Sequence, residues 1–109
     1  MRSDPAVAYI AQDGIAYGAG AQMPTPSWGL DRIDQSSLPL DDTYTYSGTG
    51  SGVTAYIIDS GVRATHQDFD QRVSSGYSGV SDGYGTQDCY GHGTHVAGTL
   101  GGRTYGVAR

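Results

Sequence analysis

Glutamate, lysine and asparagine are all absent from the 109 residues. The first two are residues that usually fill the solvent-facing sides of helices, so turns, strands and loops must dominate this chain. Negative charge rests on eleven aspartates and positive charge on six arginines, for a net charge of -5 at pH 7. There is no basic stripe, which argues against a nucleic-acid partner, and nothing is offered to an anionic membrane surface. No stretch reaches the roughly 20 apolar residues of a membrane-spanning helix. Met1 to Pro5 is not followed by the apolar core of a signal peptide. Cys89 stands alone, so no disulfide framework follows from the sequence, and a small buried thiol is the plain reading. Tryptophan and phenylalanine occur once each, whereas there are nine tyrosines and eighteen glycines. That mixture fits packing and loop structure better than a stacking platform for bases.

Against this background two segments carry chemistry. Val53-Thr54-Ala55-Tyr56-Ile57-Ile58 is apolar at nearly every position and lies between Gly52 and Gly61. It reads as a strand buried on both faces of a parallel sheet. Asp59 closes that run, at the carboxyl end where such sheets place their functional groups. Downstream, Gly91-His92-Gly93-Thr94-His95-Val96-Ala97-Gly98-Thr99-Leu100 is built largely of small residues. Each glycine costs a helix about 1 kcal/mol relative to alanine, and close approach to neighbouring backbone is the expected return. A carboxylate that orients an imidazole, and an imidazole that takes a hydroxyl proton, are two of the three members of a serine-protease triad. His92 and His95 are three apart and share a helix face, so spacing alone does not choose between them.

Asp59-Ser60-Gly61 and His92-Gly93-Thr94-His95-Val96-Ala97-Gly98-Thr99 resemble the aspartate and histidine signatures of the subtilisin-like serine proteases (peptidase S8). Trp28-Gly29-Leu30-Asp31-Arg32-Ile33-Asp34-Gln35, Leu38-Pro39-Leu40-Asp41 and Tyr44-Thr45-Tyr46 are similar to the mature N-terminus of the proteinase K and aqualysin branch. The resemblance runs from about Ala6 to Arg109. It implies an α/β fold, here a fragment of a three-layer architecture with a mainly parallel sheet. It also implies that Asp59 and His92 are catalytic, that His95 packs or hydrogen-bonds, and that the substrates are proteins or peptides. His66, in Thr65-His66-Gln67-Asp68-Phe69, matches a family segment without a catalytic role. The resemblance further implies export from the cell and, for Cys89, a disulfide partner beyond Arg109.

The family's nucleophile sits in a Gly-Thr-Ser-Met-Ala type motif, which this sequence lacks, Ser51 and Ser60 being the nearest misses. Its oxyanion hole uses an asparagine, and none is present. The chain is accordingly expected to be an inactive fragment of the endopeptidase. Two other readings stay open: a non-catalytic remnant or propeptide-like binding module, and an isolated metal-binding domain with Asp59, His92 and His95 as zinc ligands. A nucleophilic Cys89 beside a histidine is a further minor alternative.

Three pieces follow one another along the chain. Residues 1–20 resemble the C-terminal tail of an inhibitory propeptide of the I9 type, which would act as the enzyme's own intramolecular inhibitor. Its Ala6 to Tyr17 segment holds two apolar runs around the turn dipeptide Asp13-Gly14. Gly18 to Ser27 has linker composition, with self-cleavage expected within Gly18 to Gln22, before Ala21. Residues 21–109 then read as the N-terminal part of the catalytic domain. Within it Asp31, Asp34, Gln35 and Asp41 form an acidic group with oxygen donors suited to calcium. The competing reading is a solvated loop whose aspartates pair with Arg32 or cap a helix.

Overall fold

The computed structural model describes residues 20–74 and 76–109. Strand β1 (Gly20–Gln22) pairs antiparallel with β2 (Tyr44–Tyr46), in the register Gly20 to Tyr46 and Gln22 to Tyr44. Helix α1 (Trp28–Ile33) lies between them, and helix α2 (His92–Gly101) follows a long irregular stretch that contains one 3-10 turn, Gln67–Phe69. No helix of the described residues is long and apolar enough to cross a membrane.

Serine and glycine chemistry explains the first elements. Ser27 is extended and its Oγ accepts from the Gly29 N–H at 3.2 Å, so α1 begins with a satisfied cap. The Tyr46 ring lies over the first residue of β1, where a Cβ on Gly20 would come within 2.6 Å of it and the ring would have to shift. The segment of linker composition is therefore partly a paired strand. The two apolar runs of Ala6 to Tyr17, and most of the propeptide-like piece, lie outside the described residues.

Tyr44 joins this corner to the end of α2. Its hydroxyl donates to the Val107 carbonyl at 2.9 Å, and burial raises its pKa, which keeps the proton on the donor. The Arg109 guanidinium stacks over the Tyr44 and Tyr46 rings at 5.7 and 6.0 Å and donates to Gln22 Oε1. After α2 the chain turns back, with Val107 N–H on the Thr99 carbonyl and Ala108 N–H on that of Leu100.

The apolar core is small. Leu30, Tyr44, Phe69 and Ala97 are its buried hydrophobic members. A radius of gyration of 17.5 Å, against about 12–13 Å for a compact domain of this length, shows how little of the chain closes around them.

The expected parallel strand is the principal correction. Val53–Ile58 carries no β-ladder, and the one sheet among the described residues is antiparallel. Tyr56 and Ile58 are 88% and 101% exposed. Ile57 is half-buried, beside a void of about 330 Å³ that the segment shares with Phe69, Ala97 and Leu100. The sequence pattern signals burial on two faces, but burial needs neighbouring strands, and the described residues supply none.

Candidate active site

Asp59 and His92 meet. His92 is the first residue of α2, and its Nδ1 lies 2.9 Å from both Asp59 carboxylate oxygens. A carboxylate against Nδ1 holds the proton there and leaves the lone pair of Nε2 free to accept another. The His92 side chain is 61% exposed and that of Asp59 19%, so the base faces outward while its partner is sheltered. The Ser60 N–H donates to Asp59 Oδ1 at 2.7 Å. That bond, followed by the hydrogen bond from His92, holds the Asp59 carboxyl below its usual range.

The close approach comes from glycine at two positions. A side chain at Gly93 would strike the Gly61 carbonyl and come within 3.2 Å of the Asp59 Cβ, so α2 reaches the Asp59 turn only through a residue without one. Gly61 has φ +110°, and a Cβ there would stand 2.8 Å from the Gln87 backbone. The Val62 N–H on the Thr86 carbonyl, at 3.0 Å, ties the same two segments together. Among the described residues a Cβ at Gly98 or Gly101 would meet nothing within 4 Å, so the close approach seen here is confined to the start of α2.

A second acidic residue, Asp88, organises the junction, and reading the sequence did not single it out. Its Oδ1 accepts from the Ser60 hydroxyl at 2.9 Å, the Tyr90 N–H at 3.0 Å and the Gly91 N–H at 2.7 Å. Its Oδ2 accepts from the N–H and the hydroxyl of Thr94. The Thr94 hydroxyl holds the Asp88 carboxyl far below the usual carboxylate range, with the Gly91 N–H as the next cause. An acidic residue just ahead of a helix start is the signal that could have found it.

The remaining candidates separate clearly. Ser60 Oγ donates to Asp88 and accepts from the Gly93 N–H at 3.0 Å, so its hydroxyl holds the junction together. Cys89 is exposed, and its Sγ lies 3.9 Å from the Gln87 carbonyl. His95 lines a cleft of about 810 Å³ with Trp28, Leu30, Phe69 and Tyr105, whereas His92 binds Asp59. His66 accepts from the Asp68 N–H at 3.2 Å and caps the 3-10 turn. The zinc reading of Asp59, His92 and His95 fails on this geometry. Among the described residues no group of three or more His, Cys or Asp side chains is placed to hold a metal ion.

Nor are Asp31, Asp34 and Asp41 gathered into a metal site among the described residues. Asp31 is buried, and its two oxygens accept the N–H groups of Asp41, at 3.3 Å, and Asp42, at 2.7 Å. Asp34 accepts from the Thr45 N–H and Asp41 from the Thr43 N–H. Gln35 turns its amide nitrogen toward the carbonyls of Ser37 and Pro39. Calcium takes six to eight oxygens, and here both oxygens of Asp31 and one each of Asp34 and Asp41 already accept backbone N–H groups. The alternative pairing with Arg32 is also not what forms, since that guanidinium donates to the Gln35 carbonyl. The carboxylates instead tie the loop after α1 to β2.

The Subtilase family model (peptidase S8) matches residues 50–108. The "Extracellular serine proteinase" of Thermus sp. (strain Rt41A) is 54% identical over 109 residues, which are 100% of this chain and 26% of that protein. The "Alkaline serine exoprotease A" of Vibrio alginolyticus is 52% identical over 114 residues, covering 100% of this chain and 21% of that protein. The chain thus spans about a quarter of the length of the curated relatives it matches. A crystal structure of a cold adapted subtilisin-like serine proteinase aligns with a TM-score of 0.72 at 57% identity, covering 76% of this chain and 30% of that one. The expected subtilisin-like α/β fold class is borne out by that likeness.

Proposed function

Because the chain belongs to the subtilase family, we propose that it supplies the aspartate and histidine of a serine endopeptidase triad. The observation that carries this reading is the pair of 2.9 Å contacts between His92 Nδ1 and the Asp59 carboxylate. In this role His92 takes the serine proton at Nε2 as the hydroxyl attacks a peptide carbonyl. Asp59 stabilises the resulting imidazolium, and His92 returns the proton to the leaving amine. The attacking serine and the oxyanion donor come from sequence that these 109 residues do not include. Alone, the chain prepares a base and performs no acyl transfer.

The same reading makes the working protein an exported enzyme acting on proteins or peptides. It assigns residues 1–20 to the tail of the enzyme's own inhibitory propeptide and residues 21–109 to the catalytic domain. The proposed cut before Ala21 falls inside β1, so it requires that strand to part from β2 around Gly20 and Ala21.

A chimera tests the proposal. This chain replaces the matched 109 residues of the Thermus extracellular serine proteinase, and turnover of a fluorogenic peptide is measured. The chimera is expected to be active. His92→Ala should lower kcat on the order of a million-fold and Asp59→Asn on the order of ten-thousand-fold, magnitudes established for serine-protease triads, the first in subtilisin itself. The 109-residue chain alone should show no turnover. A folded but inactive chimera, or turnover by the chain alone that His92→Ala abolishes, would overturn the reading.

A further inference from the structure

We propose that Asp88 is a positioning residue of this site, fastening the Asp59 turn to the first turn of α2 and thereby setting the His92–Asp59 hydrogen bond. The inference rests on the triad reading above and deepens it.

Asp88 makes no hydrogen bond to Asp59 or His92; it acts through their neighbours. On one side it holds Ser60, the residue whose N–H binds the Asp59 carboxylate. On the other it holds Gly91 and Thr94, which bracket His92 in the first turn of the helix. Two further bonds close the frame: the Gly93 N–H on Ser60 Oγ at 3.0 Å, and the Arg63 N–H on Thr94 Oγ at 2.9 Å. One carboxylate therefore joins the chain on both sides of its own segment, and both ends of the dyad hang from that junction.

The chemistry requires a carboxylate. All five groups facing Asp88 are donors, namely the N–H groups of Tyr90, Gly91 and Thr94 and the hydroxyls of Ser60 and Thr94. An ionised carboxylate accepts at both oxygens and carries no donor of its own. An amide keeps one accepting oxygen and turns an NH2 group toward the remaining donors. The Gly91 cap of α2 has no side chain to satisfy the helix start, so Asp88 also fills that role from three residues upstream.

NMR on the isotope-labelled 109-residue chain separates positioning from simple capping. Two readouts are followed: the ring 15N shifts of neutral His92, which report which nitrogen carries the proton, and the titration midpoint of the Asp59 carboxyl carbon. Asp88→Ala should lose the Nδ1–H preference of His92 and raise the Asp59 midpoint toward the ordinary 3.8, while the Leu30 and Tyr44 signals stay in place. Ser60→Ala should shift the Asp59 midpoint part of the way. Asp88→Asn, which retains one oxygen, should fall between parent and Asp88→Ala. If Asp88→Ala fails to fold, Ser60→Ala and Asp88→Asn decide: a shifted Asp59 midpoint in either supports the role, and unchanged readouts in both overturn it. Asp59→Asn provides the reference. Should it abolish the Nδ1–H preference while Asp88→Ala changes nothing, the positioning role is wrong and the dyad stands. Should Asp59→Asn itself leave the tautomer unchanged, the dyad reading fails and this inference falls with it.

Discussion

Two neighbouring stretches of this chain sit at opposite extremes of constraint. From Asp59 to Arg63 the backbone is held by hydrogen bonds at Ser60, Val62 and Arg63 and approached closely at Gly61. From Thr54 to Ile58, immediately before it, no backbone N–H has a partner among the described residues, and Tyr56 and Ile58 stand in solvent. Polar junctions of this kind are made by groups a few to some thirty residues apart and need only their own short list of donors and acceptors. An apolar strand is stabilised in proportion to the area that other strands and helices remove from water. The geometry of the base is thus complete within the chain, whereas burial of the segment leading into it is not.

The largest expected effect follows from that contrast. Ile58→Ala should change the stability of the 109-residue chain by less than about 0.5 kcal/mol, as for other exposed positions. In the chimera, where further strands can cover the segment, the same substitution should cost about 2–5 kcal/mol. Denaturant melts of the two pairs give the difference, and equal effects in both settings would remove the contrast.

Gly93→Ala strikes the other region. Its methyl would meet the Gly61 carbonyl, and overpacking of this kind costs about 1–3 kcal/mol. Loss of the Nδ1–H tautomer of His92 should accompany it. Gly98→Ala, with nothing near its Cβ, should be neutral or stabilising by up to about 1 kcal/mol through helix propensity.

Acid should dissolve the junction first. Asp59 and Asp88 both have folded pKa values below the ordinary 3.8. A lowered folded value means that the unfolded chain binds more protons as pH falls. Their contribution is therefore complete above about pH 4 to 5 and is lost as pH drops through the folded values. Exchange of the Gly93 and Thr94 amides should accelerate relative to intrinsic rates below about pH 4, and Asp88→Asn should flatten that dependence. A profile unaltered by Asp88→Asn would separate the acid response from this junction.

The smallest effect expected is none. Calcium should leave the carboxyl signals of Asp31, Asp34 and Asp41 and the melting temperature of the 109-residue chain unchanged, because a ligand stabilises only by binding the native state. A calcium-dependent rise in melting temperature that Asp31→Asn removes would restore the metal reading of that loop.

What was legible in the sequence follows the same division. Asp59 could be read as the carboxylate closing an apolar run, whereas His92 was told from His95 only by its resemblance to the family's histidine signature; the geometry joins Asp59 to His92. Gly93 was legible in kind, as a residue needed for close approach, though not its target, the Gly61 carbonyl. The purpose of Asp31, Asp34, Gln35 and Asp41 was not legible, since the same oxygens suit a cation or a backbone N–H and only the fold decides which arrives. The place of Asp88 just ahead of the start of α2 was a legible sign of a helix-capping acid, but not its bond to Ser60, 28 residues upstream, which only the fold brings to it. Val53–Ile58 showed the composition of a buried strand without any indication of which chain would bury it.

Amide hydrogen exchange on the 109-residue chain tests the central contrast most directly. At neutral pH the amides of Ser60, Gly93 and Thr94 should be protected by at least about tenfold over their intrinsic rates, as hydrogen-bonded groups in a locally stable unit are. Those of Thr54 to Ile58 should exchange at close to intrinsic rates. Protection of Thr54 to Ile58 together with free exchange at Ser60, Gly93 and Thr94 would contradict the account, because the apolar segment would then be the ordered element and the polar junction the loose one.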